Sequence, residues 1–462
     1  MATTKVKQST RTLGTGEVVI GNISGSAAAS AGTYLKQDGT WAAVASGIAW
    51  QAVQTTGFTA VAEKGYPCNT TGGAFTVTLP AAASVGDKIS IVDYAGTFDT
   101  NKVTIDPNGL KINGGTISLN LTTERQGVIL TYVDVTQGWV ASSGVNTGSE
   151  ALSLPGYTVD WMCVAGGGGG GYSMGGGGGG GGLRNSFNSE SSGGAGPTES
   201  AITVAGGTVY TITVGGGGPG AVTRTVGTNG FDSSISGSGI STITSVGGGG
   251  GGDYSGTAGS AGASGGSGGG GGSSESGHAG GASGARTTNQ GFTGGVGYVV
   301  ANYGAGGGGG AGAAGEDGLS TFGGAGGVGV QLTIDGNSYY WAGGGGGGCY
   351  DSGSYRGGYG GNGGGGAGSS GGGNVAVGGA GLNAGANTTG SLAPGGVGGA
   401  NTGGGGGGGA HNTYAGGNAG SGVVHLRMLT SNYTGTTSGS PTVISVGSYT
   451  VLRYTGLGTY TA

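Results

Sequence analysis

The sequence predicts an all-β chain whose larger part is a glycine-rich domain, with short strands anchoring packed polyglycine II helices. Three observations carry this reading. Glycine supplies 132 of the 462 residues and proline only 8, about four times the usual glycine frequency of about 7%, yet the G-x-y phase of collagen is broken throughout. Apolar residues alternate with period two between Phe75 and Trp139, the spacing of a half-buried strand. Further on, β-like phrases run straight into glycine runs, as in "GYTVDWMCVAGGGGGG", "TVYTITVGGGGPG", "GISTITSVGGGGGG" and "VQLTIDGNSYYWAGGGGGG".

Residues 1–61 are small, polar and weakly patterned. Their one apolar phrase, "GTYLKQDGTWAAV" from Gly32 to Val44, carries an Asp38-Gly39 turn signal between two strand-like pieces. A segment with so little to bury orders only against a neighbour. Residues 62–145 read as one small all-β domain of about six to eight strands. In it Phe75, Val77 and Leu79 alternate, then Ile89, Ile91 and Asp93, then Val128, Leu130 and Tyr132, with a turn at Pro107-Asn108-Gly109. No run there has helical spacing. The glycine-rich domain spans 146–430, and a C-terminal β segment, 431–462, follows it.

A glycine run normally argues for a flexible linker, because glycine buries no side chain and loses the most backbone freedom on ordering. Here the β-branched and aromatic phrases that launch the runs fix each one at a definite place. The force available to order them is backbone hydrogen bonding between extended left-handed helices of three residues per turn, which reach several neighbours at once only where Cβ atoms are absent. Gly178, in the middle of the run from Gly175 to Gly182, is such a position. Trp161, Tyr340 and Trp341 sit just before runs and are expected to anchor the scaffold.

Charged residues make up 8% of the chain and the net charge is −5, the wrong sign for tracking phosphates, so nucleic acid is not an expected partner. No segment holds 18 consecutive strongly apolar residues, and the start has no apolar signal region, so the protein is expected to be made in a cytoplasm and not embedded in a membrane. Cys68, Cys163 and Cys349 are widely spaced and lack a CxxC motif, which predicts free buried thiols, no disulfide and no metal. The G-x-G-x-x-G at Gly215–Gly220 has no βαβ context and no glycine run precedes Lys-Ser or Lys-Thr, so no nucleotide or other cofactor is expected. His278, His411 and His425 lie far apart, and Glu275, Glu316 and Asp317 give no sign of a catalytic carboxylate pair, so the chain does not read as an enzyme.

Aromatic residues are the better lead. Tyrosines outnumber phenylalanines 20 to 7, and Tyr172, Tyr254, Tyr303, Tyr350, Tyr355, Tyr359 and Tyr414 lie in polar, glycine-flanked loops. A loop tyrosine offers a flat apolar face and a hydroxyl at low rotamer cost, suiting saccharide rings and protein surfaces alike. In "CYDSGSYRGGYGGNGG", Asp351 and Arg356 add an acceptor and donors beside the rings. The alternative is that these rings cap glycine helices or pack between chains.

The stretches "VDWMCVAGGGGGGYSMGGGGGG" (Val159–Gly180) and "GGNAGSGVVHLRML" (Gly416–Leu429) resemble the opening and closing phrases of the glycine-rich domain of bacteriophage tail-fibre and adhesin-like proteins. "GTYLKQDGTWAAV" is similar to short repeats in fibre attachment and shaft regions, and "FTVTLPAAASVGDKISIVDYAG" to a small β-domain of such fibres. The resemblance implies an elongated, homotrimeric virion fibre on the tail or the capsid. Its N-terminal segment 1–61 would meet other virion proteins, and its distal loops a host surface glycan or outer-membrane protein. One departure is "VISVGSYTVLRYTGLGTYTA" (Val443–Ala462), which resembles strands that precede a first glycine run. It is expected to be a partial second copy, a closing strand, or a strand reaching a neighbouring chain. The other fibre reading is a purely structural connector attached to capsid or baseplate.

Overall fold

A computed structural model describes residues 48–143, 156–274, 278–298, 304–389 and 392–462, together with strands β1 (Thr33–Leu35) and β2 (Trp41–Ala43). Among these residues the fold is all-β, built from short strands in several sheets, with no α-helix. The chain divides into two units, Met1–Ser153 and Leu154–Ala462.

In the first unit, β1 and β2 pair antiparallel around the Asp38-Gly39 signal, with Tyr34 opposite Ala42. The chain then alternates between two sheets. Strands β3 (Ala49–Trp50), β5 (Lys64–Cys68) and β7 (Lys88–Asp93) are parallel neighbours in one, and β4 (Phe58–Thr59), β6 (Phe75–Thr78) and β8 (Val103–Asp106) in the other. Antiparallel strands finish the unit: β9 (Leu119–Leu121) on β8, β10 (Gly127–Asp134) on β7, and β11 (Gly138–Ser143) on β10. The inward positions of the period-two pattern, Val77, Leu79, Ile89, Ile91, Val103, Ile105 and Leu130, are fully buried.

The last inward position of β7 is a carboxylate. Asp93 is buried and accepts backbone N–H bonds from Gly96 (2.8 Å), Thr97 (3.1 Å), Phe98 (3.2 Å) and Arg125 (3.0 Å). It therefore organises the loop after β7 and ties it to the turn before β10. Asp93→Ala leaves these donors without their acceptor and should cost at least about 2 kcal/mol, read as a fall in the thermal midpoint that Asp93→Asn partly restores.

The second unit holds β12 (Tyr157–Val164), β13 (Leu183–Asn185), β14 (Ile202–Val204), β15 (Val209–Thr213), β16 (Ser233–Ser236) and β17 (Ile243–Ser245). These are followed by β18 (Val330–Leu332), β19 (Tyr339–Trp341), β20 (Val423–Leu429), β21 (Thr437–Ser438), β22 (Thr442–Val446), β23 (Tyr449–Tyr454) and β24 (Gly458–Thr461). One sheet runs β13-β12-β20-β23-β22 with β14 also on β12, the other runs β17-β16-β15-β24-β21, and β18 and β19 form a hairpin. The phrase "VDWMCV" reads as nearly continuous apolar text because β12 is covered on both faces. Trp161 and Cys163 join Tyr210, Ile212, Leu426 and Tyr460 in one core cluster, while Met162 and Val164 join Leu332, Trp341 and Val423 in another. The C-terminal strands belong to these same sheets, β23 pairing with β20 and β24 with β15.

Above β12 the core continues without side chains. Residues 161–183 are buried without interruption. Their amides bond outward with a period of three: Gly166 and Gly169 to the carbonyls of Phe231 and Thr228, Gly167 and Gly170 to Gly420 and Gly417, Gly168 and Gly171 to Gly179 and Gly176. The returning run does the same, Gly176 and Gly179 bonding Gly252 and Gly249, Gly177 and Gly180 bonding Gly306 and Gly309, Gly178 and Gly181 bonding Gly406 and Gly403. Each run thus meets several others, and the backbone groups that burial would otherwise leave unpaired are satisfied.

Outer runs carry a different signature. Where one flank meets solvent, every third position is a residue with a side chain and the two between are mostly glycine. Pro394, Val397 and Ala400 form one such exposed series; Ala279, Ala282 and Ala285 form another.

Candidate functional site

The same ladder sorts the connections into two ends. At the strand end, Ala165 N–H bonds the Gly182 carbonyl, Gly182 bonds Val246, and Ala342 bonds Thr402. At the other end the turn Tyr172–Met174 is bonded to three further loops. Ser173 N–H donates to the Tyr414 carbonyl (3.0 Å), Ser273 to Met174 (3.1 Å) and Tyr254 to Tyr172 (3.4 Å), while His411 N–H reaches the Cys349 carbonyl (3.4 Å). The loops holding Tyr172, Tyr254, Tyr350 and Tyr414 therefore gather at the end away from the strands.

The candidate tyrosines differ in what they offer there. Tyr172 and Tyr254 are buried, at 9% and 6% exposure, and Arg224 lies over the Tyr254 ring at 5.7 Å. In this arrangement they cap glycine runs and present no face to a ligand. Tyr303 lies outside the described residues. Tyr350, Asp351, Tyr355 and Tyr414 are half-buried. Tyr350 packs on His411 with ring centroids 4.2 Å apart and lies 6.4 Å from Tyr355. The Asp351 carboxylate accepts a hydrogen bond from Asn412 Nδ2 at 3.3 Å and lies 3.2 Å from His411 Nδ1.

Arg356 and Tyr359 form a second cluster, three residues apart on the outward series of their run. The Arg356 guanidinium lies 4.2 Å from the Tyr359 ring centre and 5.1 Å from that of Phe322, and its Nη1 donates to Tyr359 Oη at 2.5 Å. Phe322 heads the neighbouring outward series, with Val328 further along it, and is held beside Arg356 by a parallel bridge and by the bond from Gly323 N–H to the Arg356 carbonyl (2.9 Å). Glu316, Asp317, Leu319, Phe322, Arg356 and Tyr359 line one small cleft. The continuous phrase "CYDSGSYRGGYGG" is thus split between two surfaces. Phe322, which the sequence did not single out, and His411, which it weighed only for catalysis, complete those surfaces; the x-G-G spacing of "FGGAGGV" and "RGGYGGN" marks Phe322, Arg356 and Tyr359 as outward-facing.

The anchor residues lie below. Trp161 and Trp341 are buried, Trp161 donating its indole N–H to the Ser200 carbonyl (3.2 Å); Tyr340, on the alternate side of β19, is half-buried. Trp341 meets His425 edge-on at 5.5 Å. His425 is fully buried and accepts from Arg453 Nε at 3.1 Å, and Arg453 also pairs with the buried carboxylate of Asp335. This charged cluster joins the turn after β18 to β20 and β23, and Arg427 reinforces it by donating to the Ile334 carbonyl at 3.0 Å. Gly178 is buried midway between the two ends.

Cys68, Cys163 and Cys349 are free and buried. Burial pushes the Cys68 and Cys349 thiols up to about 12 and the Cys163 thiol up to about 11. Alkylation follows the thiolate, so at pH 8 iodoacetamide should leave all three unmodified in the folded chain and label them in denaturant, as mass spectrometry would read. No cluster of His, Cys, Asp and Glu arranged to hold a metal occurs among the described residues, and no helix there is long and apolar enough to cross a membrane. No protein-family model matches the chain, and no curated protein matches it.

Proposed function

We propose that the chain is a non-enzymatic bacteriophage fibre protein whose glycine runs are polyglycine II helices and whose gathered loops adsorb the virion to its host. The helix reading is supported by hydrogen bonding with a period of three in runs such as 166–171 and 176–181, each directed to three neighbours, as extended helices of three residues per turn require. The observation that carries the adsorption reading is the collection of aromatic loops at one end of this side-chain-free core. A rigid scaffold with variable loops at one end is the common way to build a binding surface.

In this reading residues 1–61 meet other virion proteins, three copies associate through 1–145, and a host surface glycan or outer-membrane protein is the receptor. Pooling three chains gives a thin N-terminal segment a core it lacks alone. The test is adsorption of the purified, fluorescently labelled chain to a panel of bacterial strains. Saturable binding to some strains, lost in Tyr355→Ala/Tyr359→Ala, supports the receptor role. Failure to bind any strain, with the loops instead contacting particle proteins, supports a structural connector on capsid or baseplate. Solution mass should be three times 42.9 kDa; a monomer at micromolar concentration overturns the trimer.

A further inference from the structure

The cleft between Glu316 and Tyr359 has a composition that selects among ligand chemistries. Its volume is about 120 Å³, well below the roughly 300–1,000 Å³ of pockets that take drug-sized ligands, so it takes one ring-sized group rather than an extended chain. Leu319, Phe322 and Tyr359 keep 55%, 38% and 41% of their surface exposed even though Arg356 packs on both rings. Exposed rings beside a polar lining suit a ligand that is apolar on one face and hydroxylated at its rim.

The polar lining is mixed. Arg356 is held in place by its two rings and by Tyr359 Oη, and its Nε is buried with no hydrogen-bond partner among the described residues. Asp317 uses one carboxylate oxygen to accept the Val296 N–H at 2.9 Å, and Glu316 is exposed. Donors and acceptors thus stand side by side, as vicinal hydroxyls require, while two carboxylates against one guanidinium leave the cleft net negative and disfavour an anionic ligand.

We infer that this cleft binds one pyranose ring of a non-acidic saccharide, stacking its C–H face on the exposed aromatic surface and hydrogen-bonding its hydroxyls to Glu316, Asp317 and Arg356. The inference rests on the adsorption reading and names the receptor chemistry within it. The backbone positions of Phe322, Arg356 and Tyr359 are set by the glycine ladder, so the site is formed before the ligand arrives and needs no loop to close.

The experiment is a titration of the full chain, followed by saturation-transfer NMR, with the methyl pyranosides of glucose, galactose and mannose, their 2-acetamido forms and their uronates. At least one neutral or acetamido sugar should bind, its uronate at least tenfold more weakly. Tyr359→Ala should weaken binding tenfold or more, and Glu316→Gln should narrow the difference between neutral sugar and uronate. Tyr359 faces outward, so slow amide exchange across 175–182 in the variant shows that the fold is kept. No response to any sugar, equal binding of uronates, or unchanged affinity in Tyr359→Ala overturns the inference. Strain adsorption is measured on the same preparation: adsorption without sugar binding sinks the saccharide site and leaves the adsorption reading standing, whereas sugar binding without adsorption does the reverse.

Discussion

Gly178→Ala, a single added methyl group, is expected to destabilise the glycine-rich unit by more than about 4 kcal/mol, beyond the range of ordinary substitutions. A Cβ at this position would lie well inside contact distance of the Gly168 carbonyl oxygen, 2.5 Å from its carbon and 2.8 Å from Gly169 O. Relief requires the two runs to separate. That breaks the bonds that join them, from Gly168 N–H to Gly179 O (2.8 Å) and from Gly171 N–H to Gly176 O (2.9 Å), and each buried group left unpaired costs about 1–3 kcal/mol. Gly178→Val should be worse. Ala400→Val, which enlarges an outward residue of an outer run, should change stability by no more than about 0.5 kcal/mol. Hydrogen exchange across 175–182 and the denaturation midpoint report both variants; an unperturbed Gly178→Val would return the run to the status of a flexible linker.

Asp335→Ala is expected to have the next largest effect, about 3–5 kcal/mol, because it strands the Arg453 guanidinium in a buried site. Asp335 is 1% and Arg453 16% exposed in their side chains, so water compensates little. Replacing Asp335 and Arg453 together by apolar residues should cost less than the sum of the single changes, since no buried charge is then unpaired. His425 adds a pH dependence. Burial lowers its pKa from 6.5 to about 3, Arg453 acting in the same direction and Asp335 against it. The unfolded chain takes up this proton near pH 6.5 and the folded chain only near 3. The contribution is therefore complete above pH 6.5 and lost as pH falls through that window, by at most about 1.4 kcal/mol per pH unit. In His425→Gln the difference in stability between pH 7 and pH 4 should shrink.

What the sequence disclosed and what it hid divide along physical lines. Strand β12 was legible because Val159 to Val164 is apolar on both faces apart from Asp160, and the inward residues of β7 and β10 because their spacing is local. The parallel pairing of β3, β5 and β7 was not, since partners such as Tyr66 and Ile91 are separated by another strand and its turns. Glycine runs announce their backbone-only core by composition, but their neighbours do not appear in the text: nothing near Gly167 points to Gly420. The aromatic loops were legible as candidates. Their sorting was not, because whether a tyrosine caps a run, as Tyr172 does, or faces outward, as Tyr359 does, depends on which runs surround it. The cluster of Asp335, His425 and Arg453 left no sequence signal, its members coming from a hairpin turn and two strands brought together only by the sheet.

The neighbours of the first glycine run also dictate when the unit can fold. Residues 166–171 are made early in the unit, yet a third of their amide bonds go to Gly417 and Gly420, and the two sheets of the unit include β23 and β24, which are made later still. Such long sequence separations slow the search for the native state. A ribosome releasing the chain from its N-terminus cannot let this run reach its final partners until residue 420 has emerged. Assembly of the unit is therefore a late event that follows synthesis of residue 420, and removal of β23 and β24 should leave the long glycine stretches already made without a structure to enter.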